Sequence, residues 1–324
     1  MKILIFEYIT GGGFNRQELP TGLIKEGRLM LQALLANFAE LEPIELTVML
    51  DSRLASHFDT EYLDTVIISP EQNPHEVFNR LIAECDAVWP IAPEFDGILQ
   101  NLCLAVAAQA KVLLAPPAGA VALTGNKYFT YQRLIENNIA TVLTQLSDQA
   151  EFTAGEWIIK PIDGAGCGDS FILTNPEDFA DHAIRSAQFI IQPHLNGDKT
   201  SLSCLFKNGE CWIVSVNKQG FKIIERQYQL TEIIVNSQPI SENYQKLAGQ
   251  IAQAFPELWG YVGIDLIETA EEIRVLEINP RLTTSFAAIQ AALGLNIAQL
   301  TLQLLYGQPV IKPTINQAIT LNLH

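Results

Sequence analysis

From residue 1 to about residue 115, short apolar runs alternate with longer segments of helical periodicity, and this alternation limits the fold more than any other feature of the chain. Strands separated by whole helices do not return through tight hairpins, so they build a parallel sheet with helices on its faces. The expected strands are residues 2–8, 44–50, 65–69, 87–90 and 111–114, and residues 23–38, apolar at helical spacing, form the first crossover helix. The outline is Rossmann-like. Gly11-Gly12-Gly13 is nonetheless no dinucleotide fingerprint, because position 16 is Arg16 rather than glycine.

The pattern changes at Pro116-Pro117, a pair that favours extended backbone and ends elements. The chain then divides into a domain at 1–115, a lobe at 116–190 and a further lobe at 191–324. The middle lobe reads as two helices and short strands ending in the strand-loop-strand EWIIKPIDGAGCGDSFIL. Beyond it, SLSCLF, CWIVSV and KIIE alternate as consecutive antiparallel strands, followed by a helix at 242–255 and two more strands.

With 324 residues and 48% hydrophobic content, the chain can bury the cores of a multi-lobed enzyme. Its formal charge of -16 repels phosphodiesters and anionic lipid, and no basic run offsets it, so neither nucleic acid nor a membrane is an expected partner. No apolar run is long enough to span a bilayer, and KILIFEY, interrupted by Glu7, reads as a first strand rather than a leader. Five cysteines without metal-like spacing fit a reduced, cytoplasmic setting.

In so acidic a chain, cations beside a glycine-rich loop are informative. Asp163-Gly164-Ala165-Gly166-Cys167-Gly168-Asp169-Ser170 lies between two apolar runs, with Lys160 ending the first. Glycine removes the Cβ that would keep backbone N–H groups away from phosphate oxygens, although an ordinary glycine-rich hairpin loop has the same composition. Lys127 follows Thr124-Gly125-Asn126 and opens a helix, where its charge adds to the helix N-terminal field. Lys160 taken alone is equally a surface residue, and Lys127 taken alone is more often one. Cys167 is better read as a small structural residue than as a nucleophile, and no Ser/His/Asp or Cys/His set stands out.

The C-terminal part carries the firmest local inference. Residues 261–268 and 273–279 are strand-like runs joined by a short polar stretch. A hairpin turn centred near Glu271 puts Asp265 opposite Glu277, with Glu277 and Asn279 on one face and Leu276 and Ile278 on the other beside Ile264 and Leu266. Carboxylates facing each other across a ladder repel unless a cation lies between them, and magnesium takes a few such oxygens completed by phosphate and water. Arg281 follows at once, and its planar fork suits a phosphoryl group or a carboxylate. The alternative is a solvated acidic face.

In this order, Lys127, Lys160 with its glycine loop, Gln192-Pro193-His194-Leu195, Gly263-Ile264-Asp265 and VLEINPR at 275–281 resemble the ATP-grasp superfamily, over residues 118–310. The resemblance implies a Rossmann-like pre-ATP-grasp domain followed by a two-lobed α+β ATP-grasp domain. It implies that Lys127 and Lys160 hold ATP phosphates under the loop formed by Gly164, Ala165, Gly166, Cys167 and Gly168, and that Gln192, Pro193, His194 and Leu195 line the adenine. It further implies that Asp265, Glu277 and Asn279 bind magnesium or manganese, with Arg281 and Lys160 acting on the transferring phosphoryl group. The family's ribose-binding glutamate has no counterpart here: Lys199 stands in its place, which turns the ribose expectation to Asp198.

More narrowly, FEYITGGGF and NPRLTTSF are similar to tyramine-glutamate ligases of methanofuran synthesis and their bacterial relatives, which implies that Glu7, Gly11, Gly12, Gly13 and Glu94 line the substrate end. Gly11 to Gly13 equally suit a tight turn after the first strand. Small-molecule carboxylate and amine substrates follow from the resemblance, joined through an acyl-phosphate, and a homodimer is compatible with it. Other amino-acid ligases, carboxylating enzymes and a nucleotide-binding regulator without catalysis share these motifs.

Overall fold

The structure is a computed structural model that describes residues 1–61, 63–150, 153–164, 166, 170–175, 177 and 188–323. Five parallel strands open it: β1 (Lys2–Glu7), β2 (Glu45–Asp51), β3 (Asp64–Ile68), β4 (Ala87–Ile91) and β5 (Val112–Leu113), in the order β3-β2-β1-β4-β5. Helices α1 (Thr21–Ala39), α2 (Pro74–Glu84) and α3 (Ile98–Ala108) form the crossovers. The unbroken apolar run of β1 is explained by burial on both faces. Ile3 and Ile5 pack with Leu31, Leu34 and Phe38 of α1, while Leu4 and Phe6 join Phe78 and Leu81 of α2 and Leu99 and Leu102 of α3. Asn73 and Pro74 start α2, the Asn73 side chain accepting from the His75 N–H.

After β5 the chain passes Pro117 into α4 (Ala118–Gly125) and α5 (Lys127–Glu136). Asn126 caps α5 by accepting from the Tyr128 and Phe129 N–H groups, which fixes Lys127 as the first helical residue. A second sheet follows, built from β6 (Gln145–Leu146), β7 (Trp157–Pro161), β8 (Phe171–Leu173), β9 (Phe189–Pro193), β10 (Asp198–Lys207), β11 (Glu210–Ile224), β12 (Gln227–Gln238), β13 (Gly260–Glu268) and β14 (Ile273–Asn279). Its order is β14-β13-β10-β11-β12-β8-β7-β9-β6, with β15 (Ile319–Asn322) beside β12. Its neighbours on that path are antiparallel. The β8–β12 seam is narrow: among the described residues, Gln227 opposite Phe171 is the one register pair, supported by the Ile172 N–H donating to the Arg226 carbonyl.

CWIVSV and KIIE do not form separate strands. They are continuous in β11, because irregularities near Val216 and Gly220 let one strand bend where two were expected. The chain reverses only at Glu225-Arg226, both at positive φ (50° and 66°), in the two-residue geometry that matches strand twist.

Helix α6 (Glu242–Ala254), capped by Ser241, packs with Leu134 of α5 on one face of this sheet over Leu202, Val262, Ile264 and Ile278. On the other side Leu205, Ile233, Tyr261 and Phe286 share a core with α1, α7 (Ile289–Leu293) and α8 (Ile297–Leu304). The first sheet and the second are therefore held together by apolar contact, and the cleft opens on the second sheet, with Glu26 of α1 reaching it from the first domain. No single described helix is long and apolar enough to cross a membrane.

Candidate active site

The pairing of β13 with β14 places Asp265 directly opposite Glu277 and Gly263 opposite Asn279. The ladder slips by one residue between Asp265 and Leu266, which pairs with Val275, so residue 276 is the extra residue of a bulge. Leu276 was expected on the apolar face, and this is corrected: Val275 and Ile278 are the buried residues, while Leu276 lines the cleft beside Glu277. Two adjacent side chains thus reach one cavity, which a regular strand would forbid.

The cleft, a cavity of about 180 Å³ open to solvent, lies between this hairpin, β7, the glycine loop, β11–β12 and α1. Across it from the hairpin, the Lys127 and Lys160 ammonium groups each lie 3.6 Å from the same Glu277 oxygen. Lys127 also donates to the Gly164 carbonyl at 2.7 Å, tying α5 to the start of the glycine loop. Burial alone would raise the Glu277 carboxyl, but the two lysines overcome it and hold the group well below the usual carboxylate range. Asp265 has no such cations. Burial and then the neighbouring Glu277 push its carboxyl upward, although Asn279 and Gln219 each donate to it at 3.0 Å.

Arg281 grips Glu94 through two hydrogen bonds of 2.9 and 3.1 Å, joining the last motif to the loop after β4. Burial works against its charge, but Glu94, Glu26 and Glu277 more than compensate and raise its affinity for the proton. α4 approaches closely at Gly125, where a Cβ would sit 3.1 Å from the Glu94 side chain. Arg281 faces the cleft; Glu94 stands behind it, buried.

Other expected residues are distributed as follows. Gly164, Gly166 and Gln192 line the cleft, Gln192 donating to the Thr144 hydroxyl at 2.8 Å, while Ala165, Cys167 and Gly168 lie outside the described residues. Pro193 ends β9 opposite Trp157. His194 and Leu195 line an adjoining hollow, His194 bridging Glu156 (2.8 Å) and the Tyr228 hydroxyl (2.6 Å). Asp198 also faces that hollow, exposed and paired with Lys218 at 3.0 Å, whereas Lys199 reaches the main cleft.

Five residues expected at the substrate end do not line the cleft: Glu94, which stands behind Arg281, and Glu7, Gly11, Gly12 and Gly13. Glu7 is 1% exposed, and its carboxylate accepts from the Thr10 N–H (2.7 Å), the Thr10 hydroxyl (2.6 Å) and the Ile9 N–H (3.3 Å), so it caps its own turn and does not line the cleft. Gly11, Gly12 and Gly13 do not line it either: a Cβ at Gly13 would meet the Tyr8 ring at 2.3 Å, at Gly11 the Phe6 ring at 2.6 Å, and at Gly12, with φ 94°, Ile68 at 2.6 Å. Their glycines serve packing after β1.

Glu26, Gln219 and Thr284 line the cleft and were not singled out from the sequence. The alternation along β11 gives Gln219 the face of Phe221, a signal that points into the cleft. Thr284 lay within NPRLTTSF without being named, while Glu26, 258 residues away, had no local signal; the Thr284 hydroxyl donates to the Glu26 carboxylate.

Two opposed lysines, two facing carboxylates and an amide can together hold a polyphosphate and its counter-ion. Comparison with known proteins gives the family. An ATP-grasp domain model matches residues 124–285, and a pre-ATP-grasp domain model matches residues 44–121. The chain is 28% identical over 291 residues to a tyramine–L-glutamate ligase of Methanocaldococcus fervens, covering 89% of each chain. It is 27% identical over 290 residues to the corresponding ligase of Methanocaldococcus jannaschii, covering 89% of this chain and 84% of that one. A crystal structure of an ATP-grasp superfamily protein from Archaeoglobus fulgidus superposes with a TM-score of 0.74 at 21% identity, covering 100% of both chains. The chain therefore belongs to the ATP-grasp family, as an ATP-dependent carboxylate-amine ligase.

Proposed function

We propose that the enzyme forms an amide bond by way of an acyl-phosphate, joining glutamate to tyramine or tyrosine in the synthesis of a methanofuran-type cofactor. The observation that carries the reading is the sharing of Glu277 by Lys127 and Lys160, with Asp265 facing it across the hairpin. The named relatives supply the substrate classes.

The residues fit a divalent cation. Among the described residues no three of His, Cys, Asp and Glu form a metal cluster, but two carboxylates and the Asn279 amide do converge. Burial first and then the facing Glu277 raise the Asp265 carboxyl, and a cation between the two carboxylates would relieve the second of these. Asp265, Glu277 and Asn279 would hold magnesium or manganese, which would neutralise charge on the transferring phosphoryl group.

A carboxylate resists attack by an amine because it is anionic and lacks a leaving group. Lys127 and Lys160 hold the phosphates of ATP in line with the substrate carboxylate, beneath the loop that contains Gly164 and Gly166, and Gln192 to Leu195 flank the base. Arg281, kept in place by Glu94, faces the charge that develops as the phosphoryl group moves. In the second step the amine attacks the acyl-phosphate and phosphate leaves. That intermediate must be kept from water, and the approach of Gly166 to Leu23 of α1 narrows this side of the cleft.

The test is ADP production with magnesium or manganese and a panel of carboxylate-amine pairs. Glutamate with tyramine or tyrosine is expected to stimulate it above other amino-acid pairs, with the amide as product. ADP release that no carboxylate-amine pair stimulates would overturn the reading.

A further inference from the structure

Glu26 is the acidic residue of the cleft that neither the phosphate site nor the hairpin explains. It lies on α1 and reaches the cavity between the glycine loop and the segment Thr283-Thr284-Ser285. One carboxylate oxygen, Oε2, accepts from the Thr284 hydroxyl, which fixes its direction. The other, Oε1, faces the glycine loop: a Cβ on Gly166 would lie 4.0 Å from it and 2.9 Å from Leu23.

The nearby cation does not satisfy this group. Arg281 already has its fork on Glu94, at 2.9 and 3.1 Å, and among the described residues Glu26 has no ion pair. Burial accordingly pushes the Glu26 carboxyl upward, against the smaller opposing pulls of Thr284 and Arg281. A desolvated carboxylate held by a neutral hydroxyl, with one oxygen left toward a cavity, is a receptor for a cationic donor. The short helical turn at Thr284–Ala288 packs against both α1 and β12, and β12 brings Leu230 and Ile233 to the same cleft. The cleft that Glu26 enters is therefore lined by apolar side chains as well as by the polar Thr283-Thr284-Ser285 segment.

We infer that Glu26 is a specificity residue that receives the primary ammonium group of a substrate. The inference rests on the ligase reading above and extends it: the phosphate site recognises the nucleotide, and Glu26 rejects carboxylates and acceptors that lack the ammonium. An amino-acid donor and an amine acceptor both carry that group.

Isothermal titration calorimetry separates the two, using the full chain with magnesium and a non-hydrolysable ATP analogue. L-glutamate is compared with glutarate, and tyramine with 4-ethylphenol, pairs that differ by the ammonium alone. The wild type is expected to prefer the ammonium-bearing member of at least one pair by about tenfold or more, as a charge-assisted hydrogen bond provides. The pair that shows the preference identifies the donor or the acceptor. Glu26→Gln, which keeps an acceptor for Thr284, removes the preference and leaves affinity for the ATP analogue unchanged; Glu26→Asp retains part of it. A preference equal in wild type and Glu26→Gln, or no preference in either pair, would overturn the inference. ADP release, measured in parallel on the same protein with hydrolysable ATP in place of the analogue, tests the ligase reading separately. Its absence beside a Glu26-dependent preference would remove the chemistry and leave the receptor.

Discussion

The β13–β14 hairpin and the turn after β1 each enclose a carboxylate, and they treat it in opposite ways. Glu277 lies between two ammonium groups and faces a cavity, so its charge is held on. Glu7 is enclosed by two backbone N–H groups and a hydroxyl with α1 passing over it, where a Cβ on Gly27 would come 2.7 Å from its oxygen. Burial pushes the Glu7 carboxyl up to about 7, against those hydrogen bonds. Enclosure by cations beside open space produces a reactive site, whereas enclosure by the chain's own dipoles produces a structural cap.

Substitutions at the two places test that distinction. The largest effect is expected from Glu277→Gln, which removes the charge between the lysines and lowers ADP production by about a thousandfold or more. Circular dichroism and the melting temperature stay close to wild type, and substantial ADP production by this variant would break the comparison.

Next in size is the pH dependence at Glu7. Its folded-state value, about 7, is above the ordinary 4.5, so the native state binds the proton more tightly than the unfolded chain. Stability from this group is complete below pH 4.5 and is lost as pH rises through 7, a span of up to ~3 kcal/mol. Glu7→Gln is expected to flatten that slope in urea melts between pH 4.5 and 8, and parallel wild-type and variant profiles would show Glu7 to be titrating normally.

A smaller cost, about 1–3 kcal/mol, is expected for Gly13→Ala, whose new methyl group collides with the Tyr8 ring. The urea midpoint falls while kcat per folded molecule is retained. Loss of kcat without loss of stability would return this turn to the substrate site. The smallest effect is expected at Lys160→Ala: Lys127 remains, so affinity for ATP with magnesium drops by about tenfold, read as a reduced ligand-induced rise in melting temperature.

The ease of reading each region from sequence follows from how far apart its partners lie. Asp265 and Glu277 meet through one short hairpin, so alternation and a turn near Glu271 were enough to place them opposite each other. The parallel sheet was equally legible, because uninterrupted apolar runs report burial on two faces. Leu276 was misplaced because a bulge adds one residue without a compositional mark, and the same kind of irregularity hid the continuity of β11. Gly11 to Gly13 were ambiguous because a missing Cβ serves close packing as well as ligand approach. Arg281 with Glu94, and Glu26 with Thr284, are separated by 187 and 258 residues, and only the assembled fold brings them together.

The narrow β8–β12 seam has a mechanical consequence. Lys160 stands on one flank of it and Asp265 on the other, and among the described residues a rotation that widens or narrows the gap between them would strain one register pair and the bond from Ile172 to Arg226. Elsewhere, broad ladders such as β10–β11 and β11–β12 resist such bending. The sheet is stiff where it must hold its charges in register and compliant along one line, as a folded card is along its crease.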